Sequence, residues 1–208
     1  MGNSFLLTLP CMFLTIASSL LTAYGFARFE FPFRKLLFAI MYGLMLLPGS
    51  VLIIPRYLAF AKLGWVDSYL PFWVPAALAT SSFFIYMFIQ FFRGLPRELD
   101  EAAKIDGANA KQILFKIKIP MVMPSITICT FLTLTNSFKL FDQNLSLTGG
   151  EPAKQTMMLA YNIYDTFYAR SGPQWKGIGQ AKAVVFCLFV VVLAVLQQKL
   201  TQSKEVQQ

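Results

Sequence analysis

The chain predicts an all-α protein, a polytopic membrane bundle of about five transmembrane helices. Two observations carry this. Of its 208 residues, 56% are hydrophobic and only 13% charged, a balance outside the range of soluble globular domains. Second, the charged residues are gathered between uncharged runs at 1–27, 36–55, 68–92, 119–138 and 183–198. A helix rising about 1.5 Å per residue needs roughly 20 residues to cross a slab of about 30 Å.

Taken in order, the first run starts the chain, and no basic residue or small-residue cleavage site marks it as a removable leader. The second contains Pro48 and Pro55, two turns apart on one face, which read as ordinary kinks in a bundle more readily than as a hinge. The third ends at the basic pair Arg93 and Arg97, and the fourth begins at Ile119-Pro120. The fifth is short, but Lys182 and Lys199 can turn their ammonium groups outward, so the helix extends at both ends.

Lysine and arginine orient the bundle. Arg28, Arg34, Lys35, Arg93, Arg97, Lys104, Lys111, Lys116, Lys118, Lys199 and Lys204 fall on one side, in short connections, and that side is predicted to be cytoplasmic. Trp65, Tyr69, Trp73 and Trp175 fall toward the other face, as interfacial residues or as plain packing. The N-terminus then lies outside, which predicts that one further helix belongs upstream. The net charge of +8 is dispersed at helix ends rather than gathered on one surface, which argues against nucleic acid as a partner. Cys11, Cys129 and Cys187 lie within apolar runs without ligand-like spacing, so neither a disulfide nor a metal is expected. Histidine is absent and no nucleophile motif or phosphate loop is evident, so neither catalytic residues nor a cofactor are predicted.

The connection at 93–120 is the most informative segment. Glu98, Asp100 and Glu101 crowd the first turns of a short helix at about 96–105, where carboxylates meet the positive end of the helix dipole. Ala102 and Ala103 keep one flank thin enough for another backbone to approach. Gly107 can take the positive φ that ends this helix. Ala110, Ile113, Leu114 and Ile117 then form an apolar stripe with Lys111, Lys116 and Lys118 largely off it. A helix–turn–helix so apolar on one side needs a partner or the bilayer surface to cover it.

Glu101-Ala102-Ala103, Gly107 and Ile117-x-Ile119-Pro120 have the spacing of the EAA loop, and the segment resembles that of ABC-importer permeases. Ala23-Tyr24-Gly25-Phe26-Ala27-Arg28-Phe29 with Pro32, Leu46-Leu47-Pro48 with Pro55, and Phe91 through Leu99 extend the likeness to the maltose-type carbohydrate importers, whose permeases are binding-protein-dependent inner-membrane components. Asp100 through Ala108 is typical of the sugar branch. Phe141-Asp142, Leu147-Thr148-Gly149-Gly150 and Tyr161-Asn162-Ile163-Tyr164 resemble the extracytoplasmic segment of the other permease type in these heterodimers. A fusion of paralogous genes and a lineage of mixed character both fit.

The resemblance implies a type I importer permease over 1–204, with a cytoplasmic coupling loop at 93–120 and an extracytoplasmic segment at 139–180. It implies sugar or oligosaccharide translocation across the bacterial cytoplasmic membrane, driven by ATP hydrolysis on a partner. The implied partners are an ABC ATPase dimer, a second, paralogous permease, an extracytoplasmic solute-binding protein and the lipid bilayer. Glu101, Ala102, Ala103, Asp106, Gly107, Ile117 and Pro120 would dock the ATPase. Thr133, Asn136 and Ser137 are polar groups in the outer half of the fourth run, either lining a substrate path or bonding between helices. A truncated or fused remnant that no longer transports, and an ABC permease for a non-sugar solute, are the alternative readings.

Overall fold

The computed structural model describes residues 2–96, 98–151, 154 and 156–202. Among these there are helices and turns and no strand. The first helix, α1 (Gly2–Arg28), is long enough to cross a bilayer and tolerates Pro10 within it. Ser19, Ala23 and Ala27 recur every fourth residue on its buried face, a small-residue stripe that lets a neighbour come close. That neighbour is α5 (Ser82–Gly94), whose Phe84, Ile85, Phe88, Ile89 and Phe92 fill the space opposite, together with Val122 and Cys129. Phe88 is fully buried. Truncating the ring loses both its burial and the contacts around the hole it leaves, so Phe88→Ala is expected to cost about 3–5 kcal/mol, read as a lower unfolding temperature in detergent.

Three helical stretches are continuous enough to span: α1, the stretch Leu70–Gly94 that joins α4 (Leu70–Ala77) to α5, and the last helix. Between α4 and α5 the chain breaks at Ala79, with φ 55°. Hydroxyls serve the carbonyls before the break: Ser18 Oγ donates to Ala76 O (2.7 Å), and Thr80 Oγ1 donates to Pro75 O (3.0 Å), which also accepts from Leu78 N–H (3.1 Å). Such replacement is what allows a helix to break at membrane depth.

The other two expected spans are bent. α2 (Arg34–Met45) and α3 (Ile53–Lys62), joined through a 3-10 turn at Gly49–Leu52, meet at 103°. This corrects the expectation of a straight span with ordinary kinks. Pro48 is extended (φ −59°, ψ 133°) and starts a new helical direction, whereas Pro55 falls in the first turn of α3, where its missing N–H costs nothing. The second bend, of 71°, separates the surface helix described below from the spanning helix that follows it.

The final helix runs over Pro173–Gln202, longer at both ends than its uncharged core. Lys182 does not turn outward as expected. Its Nζ donates to Asn162 Oδ1 (2.9 Å) and Thr166 Oγ1 (2.8 Å), tying this helix to the preceding segment. Val184, Leu188, Val191, Val192 and Val195 are exposed on the same helix, as is Cys187, whereas Cys11 and Cys129 are buried. The exposed apolar face suits hydrocarbon, not water.

Candidate functional site

Two short helices protrude at the end of the bundle that carries Arg28 and Arg93. α6 (Glu98–Ile105) begins with Glu98, Asp100 and Glu101 in its first turn. It ends in a Schellman motif, with Ala108 N–H donating to Ala103 O (2.9 Å) and Gly107 N–H to Lys104 O (3.0 Å). Gly107 has φ 80°, the left-handed conformation this motif requires. Asn109 then opens α7 (Ala110–Met121) through a capping box. Its side chain accepts from Gln112 N–H (2.9 Å) while its own N–H donates to Gln112 Oε1 (2.8 Å).

The middle of α7, Ile113–Lys118, is wound as a π-helix. Lys118, four residues after Leu114, lies on the buried side with it and with Ile113, and is only 3% exposed. The apolar stripe therefore does not exclude Lys118 as its spacing suggested, although Lys111 and Lys116 do face outward. Lys118 Nζ lies 2.8 Å from Asp100 Oδ2 and donates to Tyr24 OH (3.3 Å). Arg28 approaches the same Asp100 oxygen at 3.6 Å and donates to the carbonyls of Phe92 and Leu95 (3.0 Å each).

Glu101, Ala102, Asp106 and Gly107 are exposed on one surface of this helix pair. Ala103 is not part of that surface, because it is buried within the chain, and Ile117 and Pro120 are half-buried. The same end leaves Ile105 and Phe115 uncovered, at 86% and 63% exposure. Neither stood out in the sequence. The signal was available, since each is a large apolar residue lying off the buried stripe of a charged segment.

Toward the opposite end, a cavity of about 560 Å³ opens between α1, α3, α4 and α8 (Met123–Phe138). Thr133, Asn136 and Ser137 line it together with Thr15, Arg56, Trp65 and Gln143. Asn136 is exposed, whereas Thr133 is buried and its hydroxyl is committed to Cys129 O (2.7 Å). Arg56 and Gln143 were not anticipated because the bend in the second span and the loop after α8, which bring them to the cavity, leave no periodic trace. Beside the cavity, α9 (Asp142–Leu147) is held by Asn144, which is fully buried. Its Nδ2 donates to Thr148 Oγ1 and Thr156 O (2.9 Å each), and Met158 N–H donates to its Oδ1 (3.0 Å).

A broken-helix membrane bundle with a protruding helix pair is a transport-permease architecture, and the chain belongs to the family of binding-protein-dependent transport system inner membrane components, which it matches over residues 5–206. It is a multi-pass inner-membrane protein. It is 39% identical over 153 residues to the probable starch degradation products transport system permease AmyD of Thermoanaerobacterium thermosulfurigenes, covering 70% of this chain and 51% of that one. It is 26% identical to the sulfoquinovosyl glycerol permease SmoH of Agrobacterium fabrum, covering 97% of this chain and 69% of that one. It is 28% identical to the trehalose/maltose permease MalG of Thermococcus litoralis, covering 95% and 69% respectively. The chain thus spans between about half and about two-thirds of the length of these relatives. The fold is that of a chain in a bacterial ABC transporter involved in alginate import, with a TM-score of 0.72 at 20% identity, over 97% of this chain and 74% of that one.

Proposed function

We propose that the chain forms one permease wall of an ABC importer that carries a sugar or oligosaccharide inward. ATP is hydrolysed on a separate ATPase dimer, a second, paralogous permease closes the pathway, and a solute-binding protein delivers the sugar from outside. The chain itself hydrolyses nothing. The observation that carries this reading is the exposed patch of Glu101, Ala102, Asp106 and Gly107, flanked by bare Ile105 and Phe115 and held rigid by a capping box and a Schellman turn. Apolar side chains this exposed beyond the spanning helices call for a protein partner. Carbohydrate permeases among the relatives support a sugar as cargo. The cavity lined by Asn136, Gln143 and Trp65 offers hydroxyl-bonding groups and an aromatic face.

The test is detergent co-purification with the products of neighbouring genes, followed by ATPase measurement across a sugar panel. Recovery of an ATPase subunit and a second permease in fixed proportion, with hydrolysis stimulated by a sugar and its binding protein, is the expected result. Stimulation only by amino acids, phosphate or polyamines would overturn the sugar assignment. Recovery of neither partner from correctly inserted protein would mark a remnant that no longer transports.

A further inference from the structure

We propose that Asp100, gripped by Arg28 and Lys118, is the element that transmits movement of α6 into the membrane helices. This rests on the docking reading above. Of α6 only Ala103 is buried and only Asp100 is partly so. The other carboxylates there, Glu98 and Glu101, point outward. Apart from the backbone at its two ends, α6 therefore passes a load to the bundle through one methyl group and one carboxylate.

That carboxylate binds two elements directly and a third through Arg28. Lys118 sits three residues before the 71° bend at the start of α8. Arg28 is the last residue of α1, and its guanidinium also takes the carbonyls of Phe92 and Leu95 where α5 ends. Asp100 thus joins α1 and α7 at a single oxygen, Oδ2, and reaches the end of α5 through Arg28. The side chains of Arg28 and Lys118 are 9% and 4% exposed, so screening by solvent is weak. Lys118 also lies over the Tyr24 ring, 4.7 Å from its centroid, which anchors it to α1 independently of Asp100. An apolar contact would let α6 slide, whereas a charge held between two fixed cations moves with them or breaks. Asp100, Arg28 and Lys118 are positioning residues and contact no cargo.

The experiment uses the complete transporter in lipid, with two readouts: the ATPase subunit retained, and the ratio of solute-stimulated to basal hydrolysis. D100N is expected to keep the ATPase subunit in the parent's proportion while the ratio falls roughly fivefold or more, within the range of coupling between sites. K118R should restore most of what K118M loses. D100N/K118M should do no worse than D100N alone, as for two residues acting as a unit. An unchanged ratio in D100N, a double variant with the product of the two losses, or loss of the ATPase subunit from D100N would each overturn the clamp and leave docking standing. Should D100N not insert, K118M reads the same ratio with the Arg28 contact in place. A parent chain that retains no ATPase subunit overturns docking and clamp together.

Discussion

Gly107→Val is expected to release the ATPase subunit from the purified complex while the chain still inserts normally. The residue holds φ 80° in the Schellman turn between α6 and α7. No atom lies within 4 Å of the position a Cβ would take, so the cost is purely one of backbone conformation. The left-handed region costs an ordinary residue about 1–2 kcal/mol, and a β-branched one more. If the free chain relaxes that strain, docking must restore it, which lowers the affinity by roughly tenfold at about 1.4 kcal/mol per decade. Gly107→Asn is the informative control, because asparagine visits this region readily. It should retain most of the ATPase subunit on co-purification. Equal retention in the valine variant would remove Gly107 from the docking surface.

Asn144→Leu is expected to loosen the segment after α8 more than any surface change there. Leucine is close in volume, but it leaves the Met158 N–H and the Thr156 carbonyl without their partner in a site with no exposure. Each buried unpaired group costs about 1–3 kcal/mol, so a total on the order of 3 kcal/mol is expected. Backbone amides at 156–159 should then exchange hydrogen roughly a hundredfold faster in detergent. Ser4 accepts from Leu159 N–H (3.0 Å), so the disturbance should also reach the start of α1. Unaltered protection at Met158 would show that water or a rearranged turn replaces the amide.

Much of the fold was legible because lipid imposes a simple rule, that backbone polar groups be satisfied within helices. Uncharged length therefore located all five apolar segments. What it could not reveal was their shape. The bend at Pro48 depends on how α2 and α3 pack, and a proline is equally compatible with a kink of a few degrees. The exposed patch on α6 and its turn was legible from carboxylates, alanines and a glycine in sequence, yet Ala103 turned inward because the α6 helix has a buried side as well as a free one. Lys118 was misplaced for a different reason: a lysine was expected off the apolar stripe, yet at i+4 from Leu114 it lies on the buried side, where Asp100 and Tyr24 receive its charge. Asn144 gave no pattern at all, since two of its three partners, Thr156 and Met158, lie twelve to fourteen residues away.

The sharp angle between α2 and α3 also bears on the surrounding lipid. At about 1.5 Å per residue, the 12 residues of α2 rise about 18 Å, well short of the roughly 30 Å of hydrocarbon they stand in. α3 turns away and does not make up the difference. Acyl chains meeting this flank face a step rather than a wall, so the bilayer there must thin or give way to protein. Membrane thickness thereby becomes a variable to which this side of the molecule responds, and α1 and the final helix, each long enough to reach across, are far less sensitive to it.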